Sequence, residues 1–235
     1  MKRTSLYVFV FLAAAFLSFI KGDTGKVSIH MESKTLLNNK VVIIKSDIYY
    51  MYNEGSMITH YTYPTDYIYI TNKVGEAKVY YPDKNEVYMK TDRMFASESS
   101  ILYIFLNNKI HDLGLTDVGF KIKDTRVEDG LTITTWSPPV ELIEQIGKVE
   151  LVHENFIPIY IAYYTKKQSL LKKTYYYDYS NYRQFSIPLK ITEFNYMANG
   201  DSVITKINFS GLKFDSQATG PYFNYKIPDD AKAIQ

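Results

Sequence analysis

Apolar and polar side chains alternate with a period of two along most of this 235-residue chain. A strand shows successive side chains to opposite faces, so such alternation marks strands with one face buried and one wetted. Val27, Ile29 and Met31 alternate with Ser28, His30 and Glu32, and a long strand-like run covers Lys40 to Tyr52. After the turn Asn53-Glu54-Gly55, Met57, Thr59, Tyr61 and Tyr63 share one face until Pro64. Short strands with small turns follow to Lys90, as in a meander. Further hairpins run from Phe120 to Trp136 and from Lys148 to Phe209, each bounded by Gly-, Asn- or Lys-containing turns. The 23 tyrosines suit this pattern, since a tyrosine ring covers a pleated surface while its hydroxyl tolerates water.

The period changes once. Between Thr91 and Gly114, Leu102, Phe105, Leu106, Ile110 and Leu113 recur at spacings of three and four, which predicts a helix with one apolar face. Ser97 and Ser100 offer capping groups, and Gly114 stands where a helix would end. A second, shorter helix is expected over Pro139 to Ile146, closed by Gly147. No linker, repeat or low-complexity tract divides the chain. The expected fold is mainly β: a single antiparallel, strongly curved sheet, an unclosed β-barrel, with one or two inserted helices as a lid.

Ahead of the strands, Lys2 and Arg3 precede an apolar run from Leu6 to Ile20, ended by Lys21-Gly22-Asp23. That layout reads as a secretory signal peptide over residues 1–22, leaving one β domain over 23–235. Cysteine is absent, which excludes disulfides, thiol chemistry and attachment of lipid at a cysteine. Of 27 basic residues, Lys2, Arg3 and Lys21 belong to the leader, leaving 24 against 25 acidic ones. Such a balance supplies no electrostatic footprint for nucleic acid.

His30, His60, His111 and His153 show no ligand spacing, and no HExxH, GxSxG, P-loop or GxGxxG occurs. Asp178, Glu193 and Asp201 read as strand-end or turn residues rather than paired acids. We therefore expect no enzymatic activity, no cofactor and no metal. Trp136, before Pro138, reads either as a packed rim aromatic or as a platform at a cavity mouth. Lys166, Lys167, Lys172 and Lys173 flank a turn, which reads as a solvated tip or as a docking surface for a partner or anionic lipid.

Two stretches resemble the LolA-like superfamily of lipoprotein carriers and sorting proteins. In Ser46 to Lys90 the matching marks are Gly55, Pro64, Gly75 and Tyr81-Pro82. In Phe156 to Tyr196 they are Pro158, Lys166, Leu170-Leu171, Tyr177-Asp178-Tyr179 and Pro188-Leu189-Lys190-Ile191, with Phe223 and Pro228 beyond. The long amphipathic helix that usually opens such carriers is not seen ahead of the first strand. No arginine stands at Tyr52 or Asn53, where the family tends to place one. The resemblance implies a hydrophobic cavity for acyl chains under a helical lid. Its expected border is Met57, Tyr61, Tyr63, Leu102, Phe105, Leu106, Trp136, Ile159 and Ile161, residues that read equally well as ordinary core. The expected function is a periplasmic carrier, soluble and monomeric, for acyl chains of lipoprotein or lipid. Donor and acceptor proteins at the inner and outer membranes are its expected partners. The rival reading is a non-transporting envelope sensor or assembly module on the same fold.

Overall fold

The computed structural model describes residues 25–38, 40–92 and 95–234. The leader lies outside them, and so does the expected cleavage. In the first half, β1 (Lys26–Leu37), β2 (Lys40–Met51), β3 (Ser56–Tyr63), β4 (Tyr67–Thr71), β5 (Glu76–Tyr81) and β6 (Glu86–Thr91) run in series. A helical segment interrupts them. Then come β7 (Lys121–Glu128), β8 (Leu131–Ser137), β9 (Lys148–Glu154), β10 (Ile157–Tyr164), β11 (Leu170–Tyr182), β12 (Phe185–Tyr196), β13 (Ser202–Phe214) and β14 (Lys232–Ile234). All fourteen belong to one sheet of order β14-β6-β5-β4-β3-β2-β1-β13-β12-β11-β10-β9-β8-β7. The two halves of the meander join where β1 pairs with β13, and the outer strands β14 and β7 do not meet, so the barrel stays open.

Antiparallel register carries one face across the sheet. Val27, Tyr50 and Met57 stand opposite one another on β1, β2 and β3, and Val27 and Tyr50 are fully buried. On the other side Val149 opposes Trp136, and Leu151 opposes Ile161. Met57 and Trp136 belong to one continuous core although eight strand spacings separate β3 from β8. In a flat sheet that would be roughly 38 Å at ~4.8 Å per strand. The sheet curls, and bulges at Ser28/His30, Lys45/Ser46, Pro158/Tyr160 and Ile122/Asp124 add local twist.

The hollow holds the helical segment, which departs from expectation. Only Ile101–Leu106 is α-helical (α1), and 3-10 turns at Ser97–Ser99, Lys109–His111 and Thr116–Val118 flank it. Ser100 caps α1, its hydroxyl oxygen accepting from the Tyr103 N–H at 3.1 Å. The helix stops at Asn107 rather than Gly114, because Asn108 takes left-handed backbone (φ 55°) and breaks the ladder. Leu102, Phe105 and Leu106 enter the core, with the Phe105 ring edge-on to Tyr176 at 5.8 Å. The second expected helix reduces to a 3-10 turn at Val140–Leu142. Gly147 serves a close approach there: a β-carbon would lie 2.5 Å from the Thr165 carbonyl oxygen.

The sheet is not purely antiparallel. Beyond β13 the tail turns at Asp215–Gln217 and Pro221–Asn224. Tyr222, Tyr225, Ile227 and Ala231 then pack on a second core of Ile58, Ile68, Tyr80 and Val87. These strand residues alternate with the inward set, so the tail covers the outer face of β3 to β6. It returns alongside the edge, and β14 pairs with β6 in parallel. A tail that crosses a sheet before joining its rim can arrive in either direction, and nothing in the alternation of β6 selects one.

Hydrogen bonds tie the helical segment to the sheet at both ends: Ser97 donates to the carbonyl oxygens of Gly55 and Asn72, and a buried histidine holds the far side. His153 on β9 is buried, and its Nε2 lies 2.8 Å from the carbonyl oxygen of Ile110. A carbonyl only accepts, so Nε2 carries the proton. Burial holds this imidazole below its ordinary value of 6.5. As pH falls, the unfolded chain takes up the proton first. The contribution of His153 is therefore complete above that value and is lost as pH drops through it.

Two outcomes follow from these contacts. Phe105→Ala should cost about 3–5 kcal/mol of stability in denaturant melts, since it empties the centre of the core. His153→Gln, which does not titrate, should lose part of the wild-type decline in melting temperature between about pH 7 and pH 5. Equal slopes in the two proteins would contradict the latch.

Candidate functional site

Helix α1 reads Ile-Leu-Tyr-Ile-Phe-Leu and is apolar on all sides. Leu102, Phe105 and Leu106 are spent on the core, which leaves Ile101, Tyr103 and Ile104 on the other faces, half-buried. Between this surface and the concave wall lies a cavity of about 240 Å³. Ile101 and Ile104 form its lid side. Ile161, Tyr163, Tyr176, Ile191 and Ile207, from β10 to β13, form its floor. Register explains the floor: Ile191 stands opposite both Tyr176 and Ile207, and Tyr163 opposite Lys172.

A larger cavity of about 690 Å³ lies along the helical segment. Tyr103, Leu113, Leu115, Phe120, Leu142 and Ile146 line it, and Ile104 and Tyr163 border both spaces. The two therefore adjoin across this pair of side chains, forming one trough beside and beneath α1. Its size falls in the range of a few hundred to a thousand Å³ typical of ligand sites.

The electrostatics are quiet. At the mouth of the smaller cavity Lys172 and Glu193 pair at 2.6 Å, and beside the larger one Lys109 and Asp117 pair at 2.6 Å. Burial pushes the Tyr163 hydroxyl above the ordinary phenol range, with Glu193 adding to the effect, and burial raises Tyr176 further. Both phenols stay neutral in the physiological range. The trough thus offers apolar side chains and neutral hydroxyls beside two matched charge pairs, with Lys73 and Glu98 on the border of the larger cavity. Among the described residues no three His, Asp or Glu side chains gather as a metal-binding set.

Of the residues expected to border the cavity, Ile161 does so. Met57, Leu102, Phe105, Leu106 and Trp136 are packed core, and the Trp136 indole N–H donates to Thr134 Oγ1 at 2.9 Å. Tyr61 stacks on Tyr67 with ring centres 4.3 Å apart, on the half of the sheet away from the trough. Tyr63 is half exposed at the end of β3. Ile159 is on the outer face, because the bulge between Pro158 and Tyr160 reverses its parity relative to Ile161. There it borders an open depression with Tyr175, Tyr177, Phe194 and Lys206. Sequence reasoning missed Ile101, Ile104, Tyr163, Tyr176, Ile191 and Ile207. The available signal was that α1 has more apolar positions than a one-sided core helix needs.

No family model and no curated protein matches this chain. Solved structures do. A putative outer membrane lipoprotein-sorting protein domain from Vibrio parahaemolyticus is similar at TM-score 0.57 and 16% identity, over 91% of this chain and 94% of that one. A DUF1329 family protein from Desulfovibrio piger is similar at 0.56 and 15%, over 90% and 94%. A LolA superfamily protein from Nitrosomonas europaea is similar at 0.55 and 13%, over 83% and 89%. At these identities the likeness concerns the fold, and over nearly its whole described length this chain has the unclosed, curved-sheet fold of LolA-like proteins.

Proposed function

We propose that the protein binds acyl chains of a lipid or lipoprotein in the trough around Ile104 and Tyr163, as a carrier in the bacterial envelope. The observation that carries this is the apolar space left on the concave side where a six-residue helix covers only part of the wall. The apolar side chains and neutral tyrosines around it favour a cargo recognised mainly by burial. The leader expected over residues 1–22 supports export, and the fold is shared with a protein described as a putative lipoprotein-sorting domain. Donor and acceptor proteins at the two membranes would be the partners, and no chemistry on the cargo is part of this reading. A sensor or assembly module on the same fold is the second reading. It is favoured by the packing of Leu102, Phe105, Leu106 and Trp136, which fills much of the hollow with core.

The tests follow from the nature of the walls. Affinity for fatty acids from decanoate to stearate should rise about fourfold per added methylene, from ~0.8 kcal/mol each, until the trough is full. It should change little between low and high salt. Flat affinity across the series would favour the sensor reading. Ile104→Trp, which fills the junction of the two cavities without touching the core face of α1, should weaken binding of the longest acid at least tenfold at unchanged melting temperature. Amide exchange in 101–120 should be faster than in β9 to β12 and should slow on loading, because the segment must shift to admit a chain.

A further inference from the structure

One end of the sheet gathers several connections that carry exposed apolar side chains. The turns joining β1 to β2, β10 to β11 and β12 to β13, together with the 138–147 connection between β8 and β9, all lie at one end, as the antiparallel pairing requires. Much exposed hydrocarbon lies there. Leu36 and Leu37 close β1, Val41 and Val42 open β2, Met197 sits in the β12–β13 turn, and Val140 follows β8. Val41 is 61% exposed and Val140 82%.

The β1–β2 tip is unusual in a further way. Leu36 pairs with Val41, and Leu37 with Lys40. Adjacent residues point to opposite faces, so Leu36 with Val41 occupy one side and Leu37 with Val42 the other. A half-buried hairpin would be apolar on one side only. Here both sides are apolar and both face water, so the core does not account for this composition.

Lysines gather at the β1–β2 tip, while Glu141 and Asp201 lie in the neighbouring connections. Lys34 and Lys45 share the single carboxylate of Glu32, and Lys34 stands opposite Lys206. Lys40, Lys167 and Lys206 are exposed and make no ion pair among the described residues. At the β1–β2 tip, hydrocarbon flanked by Lys34, Lys40 and Lys206 against the one carboxylate of Glu32 is the complement of an anionic bilayer surface, where apolar side chains enter the headgroup boundary and lysines meet the lipid phosphates. Both cavities reach this same end. Lys172 and Glu193 flank the smaller one just below the β10–β11 and β12–β13 turns, and Leu142 and Ile146 of the β8–β9 connection line the larger.

We propose that this end is a membrane-docking surface, with the β1–β2 tip inserting into the headgroup region of an anionic bilayer and the surrounding lysines holding it there. Docking in this pose turns the mouth of the trough toward the lipid. The surface is independent of what the trough binds, and its test leaves the trough untouched.

Flotation of the full-length mature chain with vesicles measures it directly. Binding to phosphatidylcholine vesicles containing phosphatidylglycerol should exceed binding to phosphatidylcholine alone at least tenfold, and should fall as salt rises. Val41→Asp/Val42→Asp should weaken binding to the anionic vesicles at least tenfold, and so should Lys40→Glu/Lys167→Glu/Lys206→Glu. Both variants alter exposed positions, so their melting temperatures and their affinity for a fatty acid in solution should match the wild type. Wild-type protein that ignores anionic vesicles would overturn the proposal, as would either variant binding them as well as the wild type. A wild-type dimer that Val41→Asp/Val42→Asp returns to monomer, with no vesicle binding, would assign the tip to self-association instead. Loss of fatty-acid binding by Ile104→Trp with vesicle flotation intact separates the trough from the surface.

Discussion

The structure depends on filling the concave side of an open sheet. The strands from β1 to β3 and from β8 to β13 have apolar residues on the concave face to bury, and because β14 and β7 do not meet, the sheet cannot seal the space by closing on itself. Curling brings the strands from β3 to β8 around one hollow, and Leu102, Phe105 and Leu106 of α1 are driven into it. Each such side chain is worth about 1.5–3 kcal/mol on full burial. The helix they belong to is six residues long, ~9 Å at 1.5 Å per residue. That is too short to cover the whole wall, and the trough is the uncovered remainder.

The outer face and the rims are managed separately. The tail lays Tyr222, Tyr225 and Ile227 over Ile58, Ile68 and Tyr80, with Tyr222 stacked on His60 at 4.6 Å. At the opposite rim β7 is exposed along most of its length and carries Lys121, Lys123, Asp124, Arg126 and Glu128. Charges on an open edge discourage pairing with another chain. Near the point where β1 meets β13, the buried carboxylate of Asp215 accepts from the Gly25 N–H at 3.2 Å and the Tyr182 hydroxyl at 3.1 Å. This contact fastens the start of the sheet to the end of its last long strand.

The strands form a continuous hydrogen-bonded wall, whereas the lid is a chain of short turns around six helical residues. Ser97 ties its start to Gly55 and Asn72, and the His153 bond to Ile110 holds its far side. Regions with few backbone ladders open at lower free energy than a sheet interior. The wall is therefore the firmer part of the molecule and the helical segment the part that opens more readily.

Much of the fold was legible in the sequence because strand alternation is a local property. The strands of both meander halves, their turns at Gly55, Gly75, Gly130 and Gly200, and the position of the helical interruption all follow from spacing and turn chemistry. The site was far less legible, for three physical reasons. Alternation reports parity until a bulge intervenes, and the bulge at Pro158/Tyr160 sends Ile159 to the outer face while Ile161 stays inside. A helix apolar on every side has no direction of its own, so only the wall decided that Phe105 would be core and Ile104 would border the trough. Ile161, Tyr176, Ile191 and Ile207 become neighbours only through the register of β10 to β13. By itself the sequence determined a series of strands with one helical interruption. The hollow and what lines it were decided by the tertiary structure, because curvature and register are properties of paired strands and not of any one of them.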